Sequence, residues 1–141
     1  IAAAKVKCNV EFHVDQAVGP RQDQHSHLAT ADEFINAGAR LNELFDTYDA
    51  VISTAGYNSV LELAELDVPV LLVPISRSLD DQGLRARQWA TRMGHAHEDA
   101  EPEVSVTWLA ETLASRKRRT AVRLDPKGAE NCARLIAGVM K

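Results

Sequence analysis

From Tyr48 to Pro74 the chain reads YDAVISTAGYNSVLELAELDVPVLLVP, and the apolar run that closes this stretch leaves few folds open. Val70 to Val73 sit between Pro69 and Pro74 with no polar residue alternating among them. A strand of that kind must be covered on both faces, which is the condition of a strand inside a parallel sheet. Upstream, Ala50 to Ser53 reads as a second short buried strand, and Ser59 to Leu66 as the helix between the two. Two strands joined through a helix by short links pair in parallel, because an antiparallel pair needs no such crossover.

The flanks extend the same alternation. Val6, Cys8, Val10, Phe12 and Val14 alternate with polar residues, a period of two that predicts a strand, whereas Gly19 to Asp32 has turn formers and no period and reads as a loop. Leu41, Leu44, Phe45 and Tyr48 recur at threes and fours, predicting a helix over at least the second half of the segment from Glu33 to Tyr48. Asp80 or Asp81 is placed to cap a helix that carries Leu84, Trp89 and Met93 and stops at Gly94. His95 to Glu98 is a further short strand, and Val104 to Ala114 and Lys127 to Met140 are the last two helices. The expected fold class is α/β, a doubly wound, Rossmann-like parallel sheet with helices on both faces. Four strands are countable where such sheets usually hold five or six, and the opening IAAAKV suits the tail of a helix, so the expectation extends to a domain lacking its first strand.

With 141 residues, 45% hydrophobic and 26% charged, the chain suffices for one globular domain over residues 1–141 and not for two. A net charge of −4 argues against a nucleic-acid partner, since phosphate-backbone binders carry a basic surplus. The basic run SRKRRTAVR, Ser115 to Arg123, lies between two helical patterns and reads as a solvated connection. Cys8 and Cys132 are far apart and form no CxxC, so neither a disulfide framework nor a zinc knuckle is indicated. No window resembles a transmembrane span or a signal peptide, and the expected location is cytoplasmic.

The turn after Ala50–Ser53 carries the chemistry. A strand that feeds a helix through small residues leaves the first backbone N–H groups of the helix unpaired, beyond the carboxyl end of the strand. Gly56 allows close backbone approach, and Asn58 and Ser59 add side-chain donors beside the positive end of the helix dipole, so the place suits a phosphate. No Walker lysine and no GxGxxG accompanies it, so neither an ATPase nor a dinucleotide dehydrogenase finds support. A second reading is purely structural. Ser59-Val60-Leu61-Glu62 is also an S-x-x-E capping box, in which serine and glutamate satisfy each other's backbone amides and bind nothing.

Over a longer register, AGYNSVLELAELDVPVLLVPISRSLDDQ, Ala55 to Gln82, resembles the nucleotide-sugar signature of GT-B glycosyltransferases. It is similar to the GWNS...E...GVP...P...DQ box of plant-type family 1 enzymes and to the C-terminal domain of glycosyltransferase family 28; the upstream EFI, Glu33 to Ile35, with its helix and YDAVIS, fits the family 28 pattern. The resemblance covers roughly Glu33 to Gly94. It implies that Gly56, Asn58 and Ser59 hold the donor diphosphate, that Glu62 accepts from the ribose hydroxyls, and that Asp81 and Gln82 read the transferred sugar. It implies further that Phe34 and Ile35 border the base. The chemistry is coherent, because a carboxylate only accepts and suits a vicinal diol, while an amide donates and accepts. The sequence departs from the pattern at Thr54, where family 1 has histidine, at Arg85, where family 28 commonly has asparagine, at Asp67, where glycine precedes VP, and at Tyr57 in place of tryptophan.

Other constellations carry less. His25 with His27 and His95 with His97 form H-x-H pairs without further ligands at metal spacing, His13 reads as surface, and no metal site is expected. Asp80 and Asp81 read as a helix cap plus one sugar contact and not as an acid/base pair; Arg77 could neutralise phosphate or sit in solvent; Trp89, Met93 and Trp108 read as packing. The resemblance implies the donor half of an inverting glycosyltransferase of the hexosyl type that takes a nucleoside-diphosphate sugar, a UDP-sugar first. It needs no cofactor or metal, and it meets an acceptor-binding domain or subunit that supplies the general base and any peripheral membrane association. Catalytic residues within this chain are unknown at this stage, and the chain alone is expected to be inactive in transfer. The alternative is a non-catalytic nucleotide-binding or regulatory module of Rossmann-like fold; a third is a well-capped turn on a sheet used for protein contacts.

Overall fold

The computed structural model describes residues 6, 11–18, 29–36, 41–94, 97–98 and 101–139. Along the chain run β1 (Asp15–Val18), β2 (Glu33–Asn36), α1 (Leu41–Phe45), β3 (Val51–Thr54), α2 (Tyr57–Ala64), β4 (Val70–Val73), α3 (Gln82–Met93), β5 (His97–Glu98), α4 (Pro102–Ser115) and α5 (Gly128–Val139). Every strand pairing is parallel: β1 with β2, and separately β3 with β4 and β4 with β5. Parallel strands alternating with helices are the α/β class that the sequence predicts.

The core gathers around β4. Val70, Leu71 and Leu72 are buried with Val51 of β3, Val60, Leu63 and Ala64 of α2, and Ala86 and Met93 of α3. Val60, Leu63 and Ala64 stand three and four apart, so one stripe of α2 faces the sheet and the opposite face carries Glu62 and Glu65. On α3, Ala86 and Met93 are buried and Trp89 packs on the same cluster, with the Arg92 guanidinium 5.3 Å from its ring centroid. Asp81 caps α3, its Oδ1 accepting from the Leu84 amide at 2.9 Å, and Gly94 ends it at a φ of +71°, a conformation glycine adopts without strain. A second cluster forms where Leu109 of α4 meets Phe12, Ala50 and Trp108.

Several expectations are corrected. The alternation from Val6 to Val14 makes no strand among its described residues: Val6 is helical, residues 11–14 are irregular, 7–10 lie outside the described residues, and β1 starts at Asp15. Glu33 to Asn36 is a strand, and among the described residues the helix after it runs over Leu41–Phe45. β3 is buried only at Val51, with Ile52 and Thr54 exposed, so it is not the fully covered strand its composition suggests. The expected loop over 19–28, the pair His25 and His27, His95 and Met140 lie outside the described residues.

The basic run is a mostly exposed connection between α4 and α5, as expected, with one exception at Arg119. Arg119 is buried at 3% exposure, and its guanidinium donates to the carbonyls of Val68 (2.7 Å), Ala64 (3.4 Å), Thr120 (3.3 Å) and Leu63. Beside it, Arg118 Nε donates to Asp67 Oδ1 at 2.8 Å and Nη1 to the Tyr48 carbonyl at 2.8 Å. The backbone joins in, with Arg119 N to Asp67 O and Val122 N to Ala64 O, both at 2.7 Å. The segment is therefore a strap across the link from α2 to β4, and Asp67, the departure before VP, is its anchor.

Candidate nucleotide-sugar site

β3 ends at Thr54 and hands the chain to α2 through Ala55 and Gly56. Ala55 is fully buried, which fixes the turn to the core, and Gly56 is the N-cap at φ −63° and ψ 149°. The first helical bond runs from Val60 N to Gly56 O at 3.0 Å, so the amides of Tyr57, Asn58 and Ser59 precede the ladder, and no side chain caps them. This overturns the capping-box reading. Ser59 lies inside the helix as its third residue, where its hydroxyl cannot serve as the N-cap, and among the described residues nothing engages the Glu62 carboxylate. Glu62 is exposed one turn along from the free amides.

The ground in front of Gly56 is open. A Cβ there would meet only Ser59 Oγ at 3.6 Å and Thr54 Oγ1 at 3.9 Å, ordinary contacts. Three unclaimed N–H groups at the positive end of a helix, with a glycine beside them, make a seat for an anion of phosphate size.

The second wall is the loop after β4. Residues from Pro74 to Gly83 line an open surface depression of about 710 Å³, and none of its lining residues belongs to the Gly56 turn. Gln82 is buried at 3% exposure at its base; its Oε1 accepts from Ile75 N and its Nε2 donates to Asp80 Oδ2, both at 3.1 Å. Asp80 also receives Arg85 Nη2, while Arg85 Nη1 donates to the Ala55 carbonyl at 2.8 Å and the guanidinium stands 5.9 Å from the Tyr57 ring centroid. The hydrogen bonds from Arg85 and then Gln82 hold the Asp80 carboxyl below the usual carboxylate range, and the Asp80 bond raises the Arg85 pKa. Arg85 thus ties the glycine turn to the β4 loop.

Of the residues singled out from sequence, Gly56, Asn58, Ser59 and Glu62 lie on the N-cap and first two turns of α2, and Asp81 and Gln82 open α3 beside the loop that Arg85 ties to the glycine turn. Asp81 is committed as a cap through Oδ1, and Gln82 has both ends of its amide engaged. Phe34 and Ile35 lie on β2, in the sheet that is not hydrogen-bonded to β3; Phe34 is 46% exposed. Asp80 and Arg85 are the residues that sequence reasoning misses. Their signal was the departure itself, an arginine in place of asparagine five positions after an acid.

The model of the glycosyltransferase family 28 C-terminal domain matches residues 2–130. The chain belongs to glycosyltransferase family 28. Its fold is the Rossmann-like, donor-side half of the GT-B architecture. A UDP-N-acetylglucosamine--N-acetylmuramyl-(pentapeptide) pyrophosphoryl-undecaprenol N-acetylglucosamine transferase of Lachnoclostridium phytofermentans is 46% identical over 54 residues, which is 37% of this chain and 15% of that protein. No solved structure matches. This family 28 domain has no helix among its described residues long and apolar enough to cross a membrane.

Proposed function

We propose that residues 1–141 form one domain that binds a nucleoside-diphosphate sugar, a UDP-sugar first, as the donor half of an inverting glycosyltransferase. The observation that carries this is the uncapped start of α2: free amides at Tyr57, Asn58 and Ser59 beside an open Gly56, with the Glu62 carboxylate unengaged one turn on. The diphosphate sits against Gly56, Asn58 and Ser59, and Glu62 accepts from the ribose diol. Phe34 and Ile35 border the base. Asp81 offers its second carboxylate oxygen to a sugar hydroxyl, and Gln82 reaches the sugar by exchanging its bond to Asp80 or to Ile75. The name of the relative, a transferase of UDP-N-acetylglucosamine, supports UDP as the nucleotide.

The reaction is direct displacement at the anomeric carbon. An acceptor hydroxyl, deprotonated by a base on the acceptor-binding half, forms the new C–O bond while the bond to the diphosphate oxygen breaks. The negative charge that grows on the leaving UDP falls where the helix dipole and the free amides already point, so they stabilise the transition state more than the ground state. No metal ion takes part in that step.

Isothermal titration with UDP tests the reading. Binding is expected for the wild-type chain and is expected to weaken about tenfold, near 1.4 kcal/mol, in Glu62→Ala, and by a smaller factor in Ser59→Ala. Absence of UDP binding by the folded wild type would remove the proposal. Sugar transfer on addition of an acceptor-binding half separates the enzyme from a nucleotide-binding module.

A further inference from the structure

A second constellation lies at the other end of β3. His13 stands two residues before Asp15, which opens β1, and the parallel register sets Asp15 directly beside Glu33. The ligand atoms of the three lie within 4.8 Å of one another. His13 Nε2 stands 2.9 Å from Asp15 Oδ1 and 3.9 Å from Glu33 Oε2. The distances alone describe an ion pair, but one that leaves an oxygen of Asp15 unsatisfied. Asp15 Oδ1 is closed to solvent and accepts no hydrogen bond, although an imidazole nitrogen is 2.9 Å away, so the ring N–H is not aimed along that contact. The other oxygen, Oδ2, is gripped by the Tyr48 hydroxyl at 2.7 Å.

A buried carboxylate oxygen without a donor is costly and calls for a partner. A hydroxyl that fixes the far oxygen of a carboxylate is the outer support seen around metal ligands, where it sets the direction of the bonding oxygen. We propose that His13, Asp15 and Glu33 bind a divalent transition-metal ion, zinc by preference, with water in the fourth position. One imidazole and two carboxylates suit zinc, whereas magnesium and calcium take oxygen ligands in larger number. Ligand bonds of about 2.0–2.2 Å put neighbouring donors roughly 3.3 Å apart. The His13–Asp15 pair is already near that spacing, and His13 and Glu33 are exposed side chains free to close the rest.

The site is separate from the donor turn. Tyr48 lies before β3 and Gly56 after it, so the four residues of the strand, about 13 Å at 3.3 Å each, stand between the two. The ion fastens the β1–β2 pair to the segment that leads into β3, the same segment whose Tyr48 carbonyl is held by Arg118. Its contribution is to stability, not to nucleotide binding or the transfer step.

The test is titration of the chelator-stripped 141-residue chain with zinc chloride, followed by calorimetry and thermal unfolding, with magnesium chloride as control. One zinc per chain is expected, with a rise in Tm that magnesium does not give. Glu33→Gln, a change at an exposed side chain, is expected to weaken zinc binding at least tenfold, and His13→Ala to abolish it. Tyr48→Phe keeps all three ligands and removes only the outer bond, and is expected to cost about tenfold. UDP titrations of the same variants are expected to be unchanged, so failure of the metal site and failure of the donor site give different records. Zinc binding equal to wild type in Glu33→Gln and His13→Ala, which would put the ion on other histidines or on the exposed Cys132, overturns the proposal, as does absence of zinc binding at micromolar concentrations.

Discussion

At its C-terminal end α2 meets the buried guanidinium of Arg119, which donates to the carbonyls of Leu63 and Ala64 and to Val68 just beyond, whereas at its N-terminal end Gly56 brings no side chain and three amides go unclaimed. Both ends of any helix carry orphan backbone groups of equal need. Here the buried end is satisfied by a cation that also suits the negative end of the dipole, and the open end is left as it is. A serine or aspartate at position 56 would have finished that end as well, at a gain of about 1 kcal/mol. The contrast teaches that the stability of this element is secured from the strap at one end, which leaves the other end available to an anionic ligand.

The largest expected effect breaks the strapped end. Arg119→Met leaves buried carbonyls without a donor and is expected to cost about 3 kcal/mol in urea unfolding. Burial lowers the pKa of Arg119 from the usual arginine range, but the group remains a cation through neutral pH. A loss under 1 kcal/mol would show that the strap is not what holds the helix. At the open end Gly56→Ala gives the opposite pattern. The backbone there, φ −63° and ψ 149°, admits alanine, so stability is expected to hold or to rise by about 0.4–1 kcal/mol, while UDP affinity falls about tenfold because the methyl stands where the diphosphate approaches.

Acid sharpens the comparison further. The folded-state pKa of Asp80 is depressed, chiefly by the Arg85 hydrogen bond, so its contribution is present above the unfolded carboxylate pKa and is lost as pH falls through the folded value. The Asp80–Arg85 pair that steadies this link is therefore expected to persist through the ordinary carboxylate range and to weaken only as pH falls through the depressed value. Urea midpoints measured against pH should show a shallower acid limb in Asp80→Asn than in the wild type. The smallest effect belongs to Asp67→Asn, which removes a largely exposed ion pair with Arg118 while that arginine keeps the Tyr48 carbonyl. A loss of about 0.5 kcal/mol is expected, smaller at high salt.

These two ends were unequally legible in the sequence. The turn at Gly56, the helix and the doubly covered β4 follow from local pattern, because burial on both faces of a parallel strand writes itself as an unbroken apolar run. Arg119 does not, since the carbonyls it serves lie some 50 residues away and nothing beside it in the sequence marks it as buried. The same reason hides β1 and β2. Each is four residues of mixed polarity, DQAV and EFIN, held by pairing with the other, while the clean alternation just upstream yields no strand among its described residues. In the site, Ser59 and Glu62 were legible as a pair with two readings, and the position of the N-cap at Gly56 removes the capping box. Arg85 was visible as a departure, but its three partners come from the fold.

The most direct measurement is a two-dimensional amide NMR titration of the chain with UDP. Large shifts of the backbone N–H signals of Tyr57, Asn58 and Ser59 are expected, saturating together with calorimetric binding and accompanied by no comparable change at the strapped end, around Leu63 and Ala64. Saturable UDP binding that leaves those three amides unmoved would contradict the account.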